Sequence, residues 1–115
     1  MPYSRGDVVL VPFPYADNST FKQRPALVVQ SDSLITGFPQ RVMAQITSEP
    51  RVGASRVQVK VASVEGKAMG LLTDSSLVID KLETLDDSEV MKTMGKAPPQ
   101  TMAMVDEALR AVFDL

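Results

Sequence analysis

The chain contains no cysteine, no histidine and no tryptophan, and only 5% of its 115 residues are aromatic. Without cysteine there is no disulfide framework, no thiolate nucleophile and no thiolate metal site. Without histidine, the commonest zinc ligand and the commonest general base are both missing. No long apolar run exists either: stretches such as Val8 to Phe13 are far too short to cross a bilayer. The opening Met1-Pro2-Tyr3-Ser4-Arg5 leads straight into a strand-like segment, from which no secretory leader is expected. Also lacking are a Gly-rich phosphate loop with a following Lys, a nucleophile elbow, and the CxxC and HExxH patterns. Much familiar enzyme chemistry is excluded by counting.

What is present suits one globular domain. Hydrophobic residues make up 44% and charged residues 23% of the chain, close to globular averages. The length predicts a single domain over residues 1–115 with a real core and no room for a second. A formal charge of −2 and a pI near 5.0 argue against coating duplex DNA by bulk charge. The charges are unevenly spread. Lys22, Arg24, Arg41, Arg51, Arg56 and Lys60 dominate the middle, whereas Asp74, Asp80, Glu83, Asp86, Asp87, Glu89, Asp106, Glu107 and Asp114 dominate the remainder. Seven methionines and a mean hydropathy of +0.02 leave room for a homodimer interface, although methionine is also ordinary core filler.

Segments 7–13, 25–30 and 41–47 are apolar and largely β-branched, and read as strands. Arg56-Val57-Gln58-Val59-Lys60-Val61 alternates polar and apolar without a break, the pattern of a strand with one wet face. Ser76 to Asp80 continues toward Leu82 and Leu85 as a further strand. Residues 15–21 read as a polar loop and Glu65-Gly66-Lys67 as a turn. Asp86 with Glu89 three residues later makes a capping-box pattern. Gly95 and Pro98-Pro99 read as stops, and Val105, Ala108, Leu109, Val112 and Phe113 share one side of a C-terminal amphipathic helix. The expected fold is mainly β: a curled antiparallel sheet or small barrel with a helix packed on it.

The paired acids Asp86-Asp87 and Asp106-Glu107 read as charges compensating helix N-termini. A second polar cluster is more interesting. Lys22-Gln23-Arg24-Pro25 enters the second strand, and Gln45-Ile46-Thr47-Ser48 leaves the third. If those strands are antiparallel neighbours, Arg24 and Thr47 or Ser48 face one pocket, suited to a phosphate or carboxylate gripped by a guanidinium. The competing reading is an exposed arginine beside an ordinary turn.

Arg5-Gly6-Asp7-Val8-Val9-Leu10-Val11, Arg24-Pro25-Ala26-Leu27-Val28-Val29 and Ala44-Gln45-Ile46-Thr47-Ser48, in that order, resemble the successive motifs of the MazF/PemK/Kid family of toxin endoribonucleases. Glu83-Thr84-Leu85-Asp86 and Val105-Asp106-Glu107-Ala108-Leu109 extend the resemblance over nearly the whole chain. It implies a dimerising SH3-like barrel and a cytoplasmic toxin of a type II toxin–antitoxin pair. It also implies metal-independent, cofactor-free, sequence-specific cleavage of single-stranded mRNA, and inhibition by an antitoxin with an acidic flexible tail. The family's catalytic Arg and Thr fall on Arg24 and Thr47, with Lys22, Gln23, Gln45, Ser48, Asn18, Ser19 and Phe13 expected to bind substrate. Phe13, Tyr15 and Phe21 are candidates for stacking on unpaired bases.

RNA supplies its own nucleophile, the 2′-OH, so the protein needs only to stabilise charge on the non-bridging phosphate oxygens. In the Kid branch acid–base work also falls to His and Asp. This chain has no His and no Arg within Leu72-Thr73-Asp74, so Asp17 and Asp74 stand as substitutes for the base. Two further departures are a loop at 18–23 poor in glycine, and Glu83 where Arg is common. Two other readings follow from the resemblance. One is a gyrase-inhibiting toxin of the same fold, disfavoured by the Trp-free end Val112-Phe113-Asp114-Leu115; the other is a catalytically inactive, partner-binding barrel.

Overall fold

The computed structural model describes residues 3–13 and 23–115, so the expected loop at 15–21, with Asp17, Asn18, Ser19 and Lys22, lies outside the described residues. Six strands form one antiparallel sheet: β1 (Asp7–Val11), β2 (Arg24–Val28), β3 (Gln40–Thr47), β4 (Arg56–Val59), β5 (Ser75–Asp86) and β6 (Lys92–Lys96). Their spatial order is β4-β5-β3-β2-β1-β6. The sheet curls into a half-barrel with β4 and β6 as its edges. Along β5 the register jumps from Val78, opposite Gln45, to Leu82, opposite Ala44. Such a bulge bends a strand and increases its twist, which lets one 12-residue strand follow the whole curve.

Alternation assigns the two faces. Val8, Leu27, Ala44, Ile46, Val57, Val59, Leu77 and Ile79 point to one side and form the main core. Helix α2 (Pro99–Phe113) covers that side with Val105 and Ala108 buried and Leu109 and Val112 packed alongside. The helical stripe read from the sequence is therefore the lid of the core, although Phe113 is 54% exposed. The opposite face carries a smaller cluster of Val9, Val11, Phe13, Ala26, Val28, Met43 and Leu85.

Several local expectations are corrected. Glu65-Gly66-Lys67 is not a turn but the middle of a short helix, α1 (Val64–Ala68), capped by the Ser63 hydroxyl, which accepts from the Gly66 N–H. Gly95 is not a stop: it sits inside β6, because a Cβ there would come 2.3 Å from the Ala68 carbonyl oxygen. Gly70, with φ +70°, answers it from the other side, since its Cβ would lie 2.2 Å from the Met94 carbonyl oxygen. Backbone approach requires Gly95, whereas Gly70 also ends α1 as its left-handed residue, its N–H reaching the Lys67 carbonyl and the Leu71 N–H the Gly66 carbonyl. The Asp86/Glu89 capping box does form, around the 3-10 turn Asp87–Glu89.

Asp106 and Glu107 lie well inside α2 rather than at its N-terminus. Asp106 instead accepts from Arg5 Nη2 at 2.5 Å, while Glu107 pairs with Arg110 at 2.8 Å. Arg5 also donates from Nε to the Val29 carbonyl at 2.9 Å, and its backbone N–H reaches Asp32 Oδ1 at 2.8 Å. One side chain thus ties the chain's beginning to the exit of β2 and to α2. Arg41, counted in the basic middle, is only 3% exposed. It donates to the Gln40 and Tyr3 carbonyls and has Asp87 Oδ2 3.8 Å away, so it contributes to packing rather than to a positive surface.

Candidate active site

The site is built by strand register. β2 pairs with β3 as Ala26↔Gln45, Leu27↔Ala44 and Val28↔Met43. Carrying this register two residues further sets Arg24 level with Thr47. Because strand side chains alternate, both share the face of Ala26 and Gln45, opposite α2. Directly facing positions of adjacent antiparallel strands have Cβ atoms about 5 Å apart, close enough for one phosphate to touch both side chains. Val11 faces Arg24 on the other flank, so the arginine rises at the apolar margin of a polar strip.

That strip continues across the sheet. Thr47 faces Ser76 on β5, and Ser76 faces Gln58 on β4. Arg24, Thr47, Ser76 and Gln58 therefore form one cross-strand row. The row one step below runs through Ala26, Gln45, Val78 and Arg56, which adds a second guanidinium on the same face. Arg24 and Thr47 are both half-buried on this face.

Thr47 is tied to the chain that follows it. Its hydroxyl oxygen accepts the backbone N–H of Glu49 at 3.2 Å, which leaves the hydroxyl one proton of its own to donate. The combination of a planar cation and a hydroxyl donor suits a phosphate whose oxygens gain charge during reaction.

The other expected residues divide. Gln23 and Ser48 are exposed beside Arg24 and Thr47. Ser48 lines a pocket of about 300 Å³ with Glu49, Gln58, Asp74 and Ser76. Gln45 is 8% exposed and forms the floor of the strip. Phe13, expected to stack on a base, is 4% exposed and packs with Val9, Val11 and Val28, so its ring belongs to the core. Asp74 is tied into its loop: Oδ1 accepts the Val61 N–H at 2.9 Å and Oδ2 lies 3.9 Å from Lys60 Nζ. Glu83 stands on β5 opposite Met43. Among the described residues, no group of three or more acidic side chains is arranged to hold a metal ion.

Ser76 and Gln58 were not singled out from the sequence. The alternation of residues 56–61 gave Gln58 a wet face, but only the β4–β5–β3 order brings it level with Thr47.

Comparison with known proteins gives the family. Residues 4–113 match the family described as PemK-like, MazF-like toxin of type II toxin-antitoxin system. A probable endoribonuclease MazF of Mycolicibacterium smegmatis is 31% identical over 90 residues, covering 78% of this chain and 79% of that protein. Endoribonuclease MazF6 of Mycobacterium tuberculosis is 30% identical over 103 residues, covering 89% and 88%. Among solved structures, a mycobacterial endoribonuclease in complex with its cognate antitoxin superposes with a TM-score of 0.77 at 22% identity, over 98% of this chain and 96% of that one. Fold, motif order and sequence agree, and the chain belongs to the PemK-like, MazF-like toxin family of type II toxin-antitoxin systems.

Proposed function

We propose that this chain is a sequence-specific endoribonuclease toxin that cuts single-stranded RNA at the Arg24–Thr47 strip. The observation that supports this reading is the β2–β3 register, which, continued two residues, sets Arg24 level with Thr47 on one sheet face. The substrate's 2′-oxygen bonds to the adjacent phosphorus while the P–O5′ bond breaks. The 2′-OH gives up its proton and the departing 5′-oxygen gains one. No water is consumed, and the products are a 2′,3′-cyclic phosphate and a 5′-hydroxyl. Arg24 neutralises the charge growing on the non-bridging oxygens and Thr47 donates a hydrogen bond to one of them, the preorganised stabilisation that lowers such barriers. No protein nucleophile is required, in keeping with a chain that lacks cysteine and histidine.

The endoribonuclease names of its relatives support the activity, and the antitoxin-bound neighbour supports neutralisation by a cognate antitoxin. We place its action in the cytoplasm, where mRNA is found; among the described residues no helix is long and apolar enough to cross a membrane. The reading includes a homodimer, supported by exposed Leu34, Ile35 and Phe38 beside one concavity of about 340 Å³ on the β2–β3 connection, an apolar surface for a second copy to cover.

The test is incubation of the purified protein with a long RNA in EDTA. Cuts ending in 2′,3′-cyclic phosphates that disappear with Arg24→Ala support the reading. Intact RNA, or cuts unaffected by Arg24→Ala, contradict it.

A further inference from the structure

The strip extends beyond the two groups proposed to contact the phosphate. On β5, Ser76 is 1% exposed, and its hydroxyl donates to Gln58 Oε1 at 2.8 Å, with the Glu49 carbonyl at 3.1 Å as a second acceptor. On the edge strand β4, exposed Gln58 donates from Nε2 to the Arg51 carbonyl. A carbonyl can only accept, so this contact fixes which end of the amide is nitrogen. Oε1 then faces Ser76, which must be the donor. A surface glutamine normally samples many rotamers; this one is held at both ends.

Ser76 Oγ lies 3.5 Å from the Arg51 carbonyl oxygen, so both partners occupy the shared edge of the amide, and its remaining N–H and lone pair point to opposite flanks of this exposed residue. Gln58 lines the pocket of about 300 Å³ that also includes Ser48, the residue after Thr47. Adjacent strands lie about 4.8 Å apart, so Gln58 stands about 10 Å from Thr47, two strands away, and somewhat further from a phosphate shared with Arg24. This distance suits the base of a nucleotide flanking the scissile bond. Single-stranded RNA is read on such splayed bases through their hydrogen-bonding edges.

We infer that the Ser76-held amide of Gln58 reads one nucleobase of the RNA next to the cleaved phosphodiester, in the pocket beyond Thr47. The inference rests on the endoribonuclease reading and adds a specificity-determining residue to it. The buried hydroxyl acts as a positioning residue: it touches no RNA but fixes which way the amide presents its donor and acceptor.

The experiment maps cut sites in a long RNA by primer extension for wild type, Gln58→Glu and Ser76→Ala. A carboxylate offers two acceptors and matches the paired N–H donors on the Watson–Crick edge of guanine. Gln58→Glu is therefore expected to move preference at one position toward guanine. The change should be about fivefold to a hundredfold, the worth of one bidentate base contact. Ser76→Ala frees the amide to turn over and is expected to flatten preference at that same position. Both are read as ratios within one variant, so a general loss of rate from the added negative charge cancels. For a variant too slow to map, the same ratio is read from the binding of RNAs carrying a 2′-deoxy sugar at the scissile nucleotide. Unchanged ratios at every position in Gln58→Glu overturn the inference. Absence of RNA cleavage by the wild type instead overturns the endoribonuclease reading.

Discussion

The two faces of the curled sheet make different use of the same strands. On the face under α2, Leu27, Ala44, Ile46 and Leu77 are at most 1% exposed. On the other face the same strands contribute Arg24, Thr47, Ser76 and Gln58, polar residues that neighbouring strands align in one row. Because side chains alternate along a strand, one register fixes both sets together. The apolar face thus secures the positions of the polar one: slipping β3 by one residue would expose Ile46 and bury Thr47. Stability and chemistry are set by the same pairing and belong to different side chains.

Substitutions can separate these roles, and the largest effect is expected at Arg24. Removing the guanidinium should lower the single-turnover cleavage rate about a thousandfold, at the upper range for a preorganised electrostatic group. The mirror-image result belongs to Leu27→Ala. That change should cost about 2–5 kcal/mol of stability through lost burial and the cavity left behind, measured by urea denaturation, while the folded fraction cleaves normally.

Thr47→Val keeps the shape and removes the hydroxyl. We expect a rate loss of about ten- to a hundredfold, and Thr47→Ser should restore most of it, as measured on a single-site RNA. The smallest effect is expected for Arg5→Ala, remote from the strip. Its contact with Asp106 is partly exposed, with side-chain accessibilities of 27% and 40%. Solvent screening therefore limits the loss to about 1 kcal/mol, visible in thermal melts and absent from cleavage rates.

Much of this comparison was legible before any coordinates. Period-two alternation and β-branched runs marked β1 to β5 because those strands carry their own burial pattern. The antiparallel adjacency of β2 and β3, conditional in the sequence, is borne out by the pairing of Ala26 with Gln45. β6 was missed because Lys92-Thr93-Met94-Gly95-Lys96 has no alternation of its own. It pairs with β1, where the register shifts between Val8 and Val9, and its glycine answers a close approach by α1. Phe13 was misplaced because aromatic character is shared by base-stacking surfaces and cores, and only the three-dimensional packing distinguishes them. The Gln58–Ser76 pair escaped notice for a different reason: its meaning lies in a three-strand row, and residues 58, 76 and 47 have no sequence relation to one another.

The most direct test of the central claim, that Arg24 and Thr47 act on one phosphate, is a double-mutant cycle. Single-turnover cleavage is measured for wild type, Arg24→Ala, Thr47→Val and the double variant on one RNA. Groups that grip the same phosphate should be strongly coupled, the double variant losing little more than Arg24→Ala alone. Fully additive losses would mean that the two side chains act independently and would contradict the account.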